Sequence, residues 1–521
     1  MTDSPSIDST PASKHARFLF ATCFVALVAT SFAFMIRVFS AGDWAKDFNL
    51  SETAKGELLG AGIWPFAISI ILFSLVIDRI GYGKAMAFAF VAHAASAALT
   101  AVAWDYYSLY AANVLAALAA GAVEAAINPV IAAMYPRAKT LWLNILHAGW
   151  PGGLILCGLL TLSFNPGGPF EGVFGEAPSW RIKAIFLLLP TLIYGFMLLR
   201  AKFPVSERVA VGVPYRTMLR EFGAGGALIA FGLIGMQLAA VAGLPIWSGF
   251  AAASVVAVVF GIWTGSLGRP LFLFLLLIMI LLATTEIGTD GWIRDLMGPI
   301  MQANFGIDGG WVLVYTATIM MVLRLFAGPV TRVLNPLGIL AASCVFAAAG
   351  LFFLSEAQGK LLVLAATVYG IGQTFFWPTT LGLVAERFPK GGALTLNAVA
   401  GVGMLGVGVL GFTFLGQIQD HHADRQLAQQ NPALHQALAQ PPARSVLGAY
   451  QPLDDKELKQ RPKEDQAQVT AIKNEAKKQA LTQVAVLPLI MLACYLALLV
   501  YFKKQGGYKA IDLTHDPSNG P

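Results

Sequence analysis

The sequence predicts an all-α polytopic membrane protein of about 14 transmembrane helices, arranged as two repeated six-helix bundles plus an inserted helix pair. The first supporting observation is composition: of 521 residues, 57% are hydrophobic and 12% are charged, and the mean hydropathy is +0.66. A soluble protein of this length needs a larger charged surface, whereas a bundle that faces lipid does not. The other two observations are a series of apolar runs and an internal repeat.

Fourteen apolar runs follow one another along the chain. Each comes close to the roughly 20 residues that a helix needs to cross the hydrocarbon core of a bilayer. The first run has no small-residue cleavage site after it, so we expect it to be retained as a helix. The runs fall near 17–38, 54–77, 85–104, 108–134, 141–162, 182–200, 223–243, 246–266, 270–290, 310–330, 337–355, 361–384, 391–416 and 482–502.

Lysine and arginine residues are concentrated in alternate loops, which predicts the orientation of the chain. Arg79 and Lys84 lie in one such loop, and Arg387 and Lys390 lie in another. By the positive-inside rule this side is cytoplasmic. We therefore expect a plasma membrane protein (the inner membrane in a bacterium) with both termini in the cytoplasm. The polar stretch 417–480 is expected on the outer side.

An internal repeat relates the two halves of the chain. EAAINP at 124–129 has a counterpart in QTFFWP at 373–378 at an offset of 249, and Asn144 corresponds to Asn397 at an offset of 253. Repeated halves around a polar site are typical of alternating-access carriers. The predicted domains are an N-terminal six-helix bundle at 1–200, a cytoplasmic loop and inserted transmembrane hairpin at 201–268 (its helices at 223–266), and a C-terminal six-helix bundle at 269–521 with the loop 417–480.

A polar site lies within the fourth predicted helix. Glu124 is about halfway along its run, near the bilayer midplane, where a charge costs on the order of 3 kcal/mol. Asn128 follows on the same helical face, and Pro129, which has no N–H, frees the carbonyl of Ala125 and bends the helix. Burial disfavours the charged form, so Glu124 is a candidate proton-coupling residue. The alternative is a structural carboxylate paired between helices.

Further polar and aromatic residues at membrane depth are candidate substrate ligands. Their side chains can hydrogen-bond hydroxyl groups, stack on a sugar ring or, for arginine, bind an anion. Each also has a structural alternative, because amides and ion pairs join helices and aromatic rings fill cores. Asp290, four residues after Glu286, is expected at the water boundary. The candidates are Asn128, Asn144, His147, Trp150, Glu286, Arg324, Gln373, Trp377 and Asn397.

The segment FSLVIDRIGYGKAM resembles the loop signature of the major facilitator superfamily, G-x-x-x-D-R-x-G-R-K. Asp78, Arg79 and Gly81 match this signature, whereas Ser74 replaces the first glycine and the basic end is reduced to Lys84. The resemblance implies the major facilitator fold, with two six-helix bundles around a central cavity. It also implies that Asp78, Arg79, Gly81 and Lys84 form a latch on the cytoplasmic side.

A narrower resemblance involves two helices. EAAINP and the following LNILHAG resemble the fucose–galactose–glucose proton symporter family, whose fourth helix reads E-T-A-A-N-P, and TEIGTDGWI at 285–293 is similar to the seventh helix of related sugar carriers. The resemblance implies that Glu124 acts in proton coupling and at the substrate site. That family has a second coupling aspartate at the outer end of its first helix, where this chain has Arg37-Val38. Arg37 is therefore a further candidate ligand, suited to an anionic solute.

The predicted function is secondary active transport, with proton-coupled uptake of a sugar or similar small polar solute by a monomer. The alternatives are transport of an anionic organic solute and uniport or exchange without proton coupling. A membrane-embedded glycosyl or acyl transferase and a non-transporting sensor are more remote. The enzyme motifs GxSxG and HExxH and a Walker loop are absent from the sequence, and no GxGxxG follows a predicted strand. No cofactor, metal or nucleic-acid partner is indicated, because the net charge of +6 reflects loop lysines and arginines.

Overall fold

The computed structural model describes residues 14–48, 58–164, 169–170, 172–173, 179–511 and 513, and most of them are helical. The first half and the inserted hairpin contain eleven of the described helices. They are α1 Lys14–Asp47, α2 Trp64–Ile80, α3 Tyr82–Ala101, α4 Tyr106–Met134, α5 Lys139–Leu146, α6 Gly149–Ser163, α7 Ser179–Ile185, α8 Leu188–Leu198, α9 Glu207–Ala210, α10 Tyr215–Val241 and α11 Ile246–Thr264.

The second half is interrupted more often by π- and 3₁₀-turns. Its elements are α12 Pro270–Ala283, a π-helical turn Thr284–Gly288, α13 Thr289–Phe305, α14 Gly310–Leu325, α15 Gly328–Val333, α16 Pro336–Glu356, α17 Leu361–Gln373, α18 Phe376–Arg387, a 3₁₀ turn Pro389–Gly391, α19 Gly392–Leu405, a second π-helical turn Gly406–Gly411, α20 Phe412–Gln430, α21 Pro432–Leu438, strands β1 Ala443–Ser445 and β2 Gly448–Tyr450, α22 Asp455–Gln460, α23 Lys463–Val484 and α24 Val486–Lys504.

The membrane-spanning segments agree with the predicted number. Among the described residues, 13 helical stretches are long and apolar enough to cross a membrane. A bent pair, Leu296–Phe305 and Gly310–Leu325, joins at 99° and brings the number to 14 if it is one span. The last two stretches are longer than the apolar runs that predicted them, because α20 and the α23–α24 pair continue into polar sequence.

Helix α4 lies at the centre of the first half and is buried along most of its length. Its small residues let neighbouring helices approach closely, as is common where helices pack within a membrane. At Gly121, a Cβ atom would collide with the Phe66 carbonyl oxygen of α2 and would lie 2.8 Å from the Ser69 side chain. Ser69 also donates a hydrogen bond of 2.7 Å to the Leu118 carbonyl of α4. This contact fixes α2 against the helix that carries Glu124.

The two halves meet along several helix pairs. Helix α19 packs against α2 and α4, α18 packs against α5, and α14 packs against α6. One end of this interface carries Asp78, Lys139 and Glu386 and is called the Asp78 end below; the other, the Asp308 end, carries Arg294 and Asp308. Helices of each half therefore contact helices of the other at both ends.

The sharp bend between α13 and α14 is held at the Asp308 end. Arg294 donates to both carboxylate oxygens of Asp308, at 2.8 Å for the salt bridge, and its guanidinium lies 4.9 Å from the ring of Phe39 in α1. Burial raises the pKa of Asp308, but the hydrogen bonds from Arg294 and the Gly310 N–H outweigh it, so its pKa lies below the ordinary value. The bend therefore ties the second half to α1.

The inserted pair α10–α11 is a close-packed hairpin, and α10 contacts α12 and α19. Gly223 interrupts α10 with φ 58° and lies against Gly268, which has φ 93°. Any side chain at Gly223 would meet the Gly268 backbone, so both positions suit glycine. Helix α11 leaves large apolar residues exposed, including Trp247, Val259 and Ile262.

The polar stretch 417–480 is largely helical. Helices α20 and α23 pack side by side beyond the apolar runs, and a small core joins them to α21. A two-stranded antiparallel hairpin, β1–β2, lies between α21 and α22. The core consists of Ala423, Leu427, Leu434, Leu438, Val469 and Ile472. These residues stabilise the polar extensions of α20 and α23, which a search for apolar runs in the sequence does not detect.

Replacing Gly121 with alanine tests the close approach of α2 and α4. We expect Gly121→Ala to destabilise the purified protein by about 1–3 kcal/mol, because overpacking forces backbone shifts. Gly298→Ala is the matched control, since a Cβ atom in that helix meets nothing within 4 Å. Thermal unfolding in detergent measures both variants. Equal melting temperatures for the two would contradict the packing described for Gly121.

Candidate functional site

Pro129 in α4 makes a contact between the halves possible. Pro129 lacks an N–H, so the carbonyl of Ala125, four residues earlier, has no helical donor. The Asn397 amide, from α19 of the second half, donates to this carbonyl at 3.0 Å and to the Ser74 hydroxyl of α2 at 2.8 Å. Asn397, one of the predicted ligands, therefore joins α19 to two helices of the first half.

Arg324 uses the same backbone device twice. Pro151 and Pro378 cannot donate to the carbonyls of His147 and Thr374, which lie four residues before them. The Arg324 guanidinium donates to both, from Nη1 to the His147 carbonyl at 3.0 Å and from Nε to the Thr374 carbonyl at 2.6 Å. Residues from both halves thus hold one arginine of α14.

The third contact of Arg324 is an ion pair with Glu286, which lies in the first π-helical turn. Nη2 of Arg324 lies 3.0 Å from Oε1 of Glu286, and the two side chains are 1% and 5% exposed. A buried charge needs a partner of this kind, because removing either one leaves the other uncompensated in a poorly solvating environment. With Nε, Nη1 and Nη2 all engaged, Arg324 is part of the framework of the site.

Glu124, Asn128 and His147 form a hydrogen-bonded chain. The Asn128 amide donates to Oε2 of Glu124 at 3.0 Å, so Oδ1 of Asn128 remains as an acceptor. Nε2 of His147 lies 3.0 Å from that oxygen and is therefore the protonated ring nitrogen. All three residues are buried. Through the His147 carbonyl, this chain reaches Arg324 and hence the second half.

Gln373, the repeat counterpart of Glu124, lies next to a second acidic group. It is fully buried at the end of α17, beside Asp290 of α13. Asp290 is 7% exposed, so its expected place at the water boundary is wrong. Glu286 lies in the π-helical turn that precedes α13, four residues before Asp290, and such turns are frequent at functional sites.

Other predicted ligands lie at the edges of this network. Asn144 donates to the Thr140 carbonyl at 2.9 Å and to the Thr379 hydroxyl of α18 at 3.2 Å. Trp150 packs on Phe34, with ring centroids 5.5 Å apart. Trp377 is buried in the core that contains α18 and α19. The two tryptophans therefore have packing contacts, as the structural alternative expects.

Arg37 lies in a separate place within the first half. It borders a small cavity together with Ser96, Asn113 and Leu187, and Nη1 has no hydrogen-bond partner among the described residues. The guanidinium that acts electrostatically on Glu124 is that of Arg324. The structure therefore does not bring Arg37 into the hydrogen-bonded network of the other candidates.

The predicted latch residues behave differently from one another. Asp78 accepts hydrogen bonds from Ser206, at 2.8 Å, and from Arg208, with which it forms a buried ion pair at 2.5 Å. Arg79 instead lies over the ring of Tyr215, 5.4 Å from its centroid. Gly81 has φ 82° where α2 turns into α3, and Lys84 is exposed.

Sequence reasoning missed several residues at the Asp78 end. Lys139 pairs with Glu207 at 2.6 Å, and the Thr140 hydroxyl donates to Oε1 of Glu386 in α18 at 2.5 Å. The other carboxylate oxygen of Glu386 accepts from the Tyr508 hydroxyl at 2.7 Å. The sequence signal that could have indicated these contacts is the presence of acidic and basic residues beside the repeated segments. These contacts close the Asp78 end across both halves.

The chain matches the profile of the family described as the Major Facilitator Superfamily over residues 19–412. It therefore belongs to the major facilitator superfamily and is an integral multi-pass membrane transporter, not an enzyme. This confirms the predicted fold class and the resemblance carried by the Asp78 loop. The narrower resemblance to sugar symporters stays a prediction.

The individual relatives are distant. The gallate transporter of Pseudomonas putida is 25% identical over 188 residues, which cover 35% of this chain and 42% of that transporter. The proton:xylose symporter XylE of E. coli, bound to 6-bromo-6-deoxy-D-glucose, superposes with a TM-score of 0.59 at 12% identity, covering 93% of this chain and 96% of that one. The E. coli fucose:proton symporter FucP, in its outward conformation, gives 0.53 at 14% identity, covering 90% and 98%. At these identities the structures show a shared fold alone.

A double-mutant cycle tests the Arg324–Glu286 pair. Glu286→Gln leaves a buried guanidinium without its counter-charge, so we expect a loss of about 3–5 kcal/mol in unfolding free energy. Arg324→Gln should cost a comparable amount. The double variant should recover part of this loss, because no unpaired charge remains. Thermal unfolding of the purified proteins measures the coupling, and strictly additive losses would show that the pair is not coupled.

Proposed function

We propose that the protein is a proton-coupled secondary transporter of a small, neutral, hydroxyl-rich solute, with sugars as the substrate class. The observation that carries this proposal is that the Arg324 guanidinium is already bound by other groups of the protein. Three of its five N–H groups already bind Glu286 and two backbone carbonyls, and its positive charge is already paired with the Glu286 carboxylate. The central network therefore favours a neutral solute over an anion.

The remaining polar groups at the interface suit hydroxyl donors. Oδ1 of Asn144 and Oδ1 of Asn397 are buried and have no hydrogen-bond partner among the described residues. The Asn397 amide donates to two acceptors of the first half, and the Asn144 amide donates to Thr140 of its own helix and to Thr379 of the second half. The free atom of each amide is therefore an acceptor. A sugar hydroxyl can donate to such an oxygen, whereas a carboxylate, which only accepts, cannot. The specificity of a polar site follows from such unpaired groups.

Glu124 is the proposed proton carrier. It is 4% exposed and is bonded through Oε2 to Asn128, whose orientation is fixed by His147. A carboxyl group in this position can be neutral in one state of the carrier and ionised in another, as water reaches it from alternate sides. The exchange would couple one proton to each transported solute.

The Asp78 end is proposed to face the cytoplasm, as the loop lysines and arginines predict.

Transport of an organic anion is the second candidate. The similarity to the gallate transporter of Pseudomonas putida favours it, and so does Arg37, a buried arginine with no carboxylate partner among the described residues. Proteoliposome uptake distinguishes the two. Labelled monosaccharides and labelled aromatic carboxylates are offered separately, with and without an inward pH gradient. Gradient-dependent sugar accumulation supports the proposal, and accumulation of the carboxylates alone overturns it.

Glu124→Gln separates proton coupling from substrate binding. Glutamine keeps the size and one hydrogen-bonding face of the side chain but cannot release a proton. We expect accumulation driven by the pH gradient to be lost, while exchange between equal compartments continues at a reduced rate. Glu124→Ala should lose both if the side chain also contacts the solute. Accumulation at the wild-type rate in the glutamine variant would show that the carboxyl group is structural.

Asp78→Asn tests the latch. The ion pair with Arg208 lies at the Asp78 end, away from the Glu124 network, so the substitution should alter the conformational equilibrium and slow turnover. Substrate binding, measured as ligand-induced thermal stabilisation, should change little. Arg200→Gln, at an exposed position after α8, is the control and should transport normally. Loss of binding in a folded Asp78→Asn protein would contradict this assignment.

A further inference from the structure

A compact set of oxygen-bearing side chains lies in the second half, beside the Arg324–Glu286 pair. Glu286, Thr289 and Asp290 are spaced three and four residues apart where the π-helical turn passes into α13, so they share one face. Gln373 approaches Asp290 from α17, and Tyr369, one turn earlier on α17, approaches Thr289. All five side chains are more than nine-tenths buried.

Four of these side chains carry an oxygen atom that lacks a hydrogen-bond partner among the described residues. The atoms are Oε2 of Glu286, Oγ1 of Thr289, Oδ1 of Asp290 and Oε1 of Gln373; Nε2 of Gln373, beside Asp290, is unpaired as well. Buried polar atoms are nearly always satisfied, so each unpaired one calls for an explanation. Four unpaired oxygens on two adjoining helices, α13 and α17, point to a shared ligand that these oxygens would surround.

The charge of the cluster indicates a cation. Arg324 forms an ion pair with Oε1 of Glu286, while Oε2 of that residue and Oδ1 of Asp290 have no hydrogen-bond partner among the described residues. Arg324 also acts electrostatically on Asp290 and Glu124. With Glu286 and Asp290 ionised and Glu124 protonated, the cluster carries one negative charge in excess of the guanidinium, which a monovalent cation would balance. A divalent cation would leave the cluster positive.

The mixture of donors favours sodium over a proton. A proton binds one oxygen and would leave the threonine hydroxyl and the amide oxygen unpaired, whereas a hard metal cation takes several oxygen ligands at once. The Tyr369 hydroxyl donates to the Thr285 carbonyl at 3.0 Å, so its own oxygen remains available as an acceptor on the same side. Helices interrupted at the midplane supply coordinating groups of this kind in transporters that bind sodium.

We propose that Glu286, Thr289, Asp290 and Gln373 form a sodium-binding site in the second half. Binding of the ion in the purified protein is independent of transport. Its coupling to solute movement rests on the proposed function, to which it adds a second driving ion. The net positive charge carried with each neutral solute would then let the membrane potential drive accumulation.

Direct binding tests the site. The purified wild-type protein is incubated with ²²Na⁺ in choline chloride, without any solute, and the label is displaced with NaCl, KCl or CaCl₂. We expect saturable binding that NaCl displaces at least tenfold more effectively than KCl or CaCl₂. In parallel, NaCl should raise the melting temperature relative to choline chloride at equal ionic strength. Equal melting temperatures with no saturable binding would overturn the proposal, and displacement by CaCl₂ at lower concentrations than NaCl would overturn the monovalent assignment.

Variants locate the binding. Asp290→Asn and Thr289→Val should each lower sodium affinity at least tenfold, and Thr289→Val is the check should the first variant fold poorly. Glu475→Gln removes an exposed carboxylate in α23 and should bind sodium like the wild type. Sodium binding unchanged in both cluster variants would overturn the site. Sodium binding without sugar uptake would refute the proposed substrate class alone, and proton-driven sugar uptake without sodium binding would refute this site alone.

Discussion

The fold depends on accommodating one guanidinium within the membrane. A lone arginine at this depth is strongly disfavoured, and even a paired one needs its remaining N–H groups satisfied. Arg324 meets this requirement with one carboxylate and two backbone carbonyls, each of which lies four residues before a proline. Its ligands come from α14's neighbours in the second half and from the α5–α6 junction of the first. The contact therefore sets how the two halves lie against each other at the level of the candidate site.

The two repeats share the position of a proline, and hence of a carbonyl that lacks its helical donor, but they differ in the side chains around it. In the first half, the carbonyl released by Pro129 accepts from Asn397; in the second, the carbonyl released by Pro378 accepts from Arg324. The corresponding positions thus receive an amide in one case and a cation in the other. The two halves consequently share a bent-helix framework but differ in charge, which gives Glu124 and the acidic cluster at Asp290 separate environments.

Much of the fold could be predicted from the sequence, because apolar length, loop charge and the repeat are local signals. The polar extensions of α20 and α23 could not, since their stability comes from contacts between Leu427 and Ile472 across the chain. Within the site, Glu124–Asn128 follows from helical spacing. The pairing of Arg324 with Glu286, the burial of Asp290 and the partnership of Asp78 with Arg208 depend on how distant helices meet, and no spacing in the sequence encodes that.

The mode of Arg324 binding also bears on biogenesis. When α14 leaves the ribosome, its apolar residues must offset the cost of the arginine in its last turn. The His147 carbonyl and Glu286 have been synthesised by then, but Thr374 follows about 50 residues later in the chain. The arginine is thus incompletely coordinated until α17 has been translated. A first half that is already assembled would offer the His147 carbonyl to Arg324 as α14 enters the membrane, and lateral release into lipid before that point would leave a charged helix without its partners.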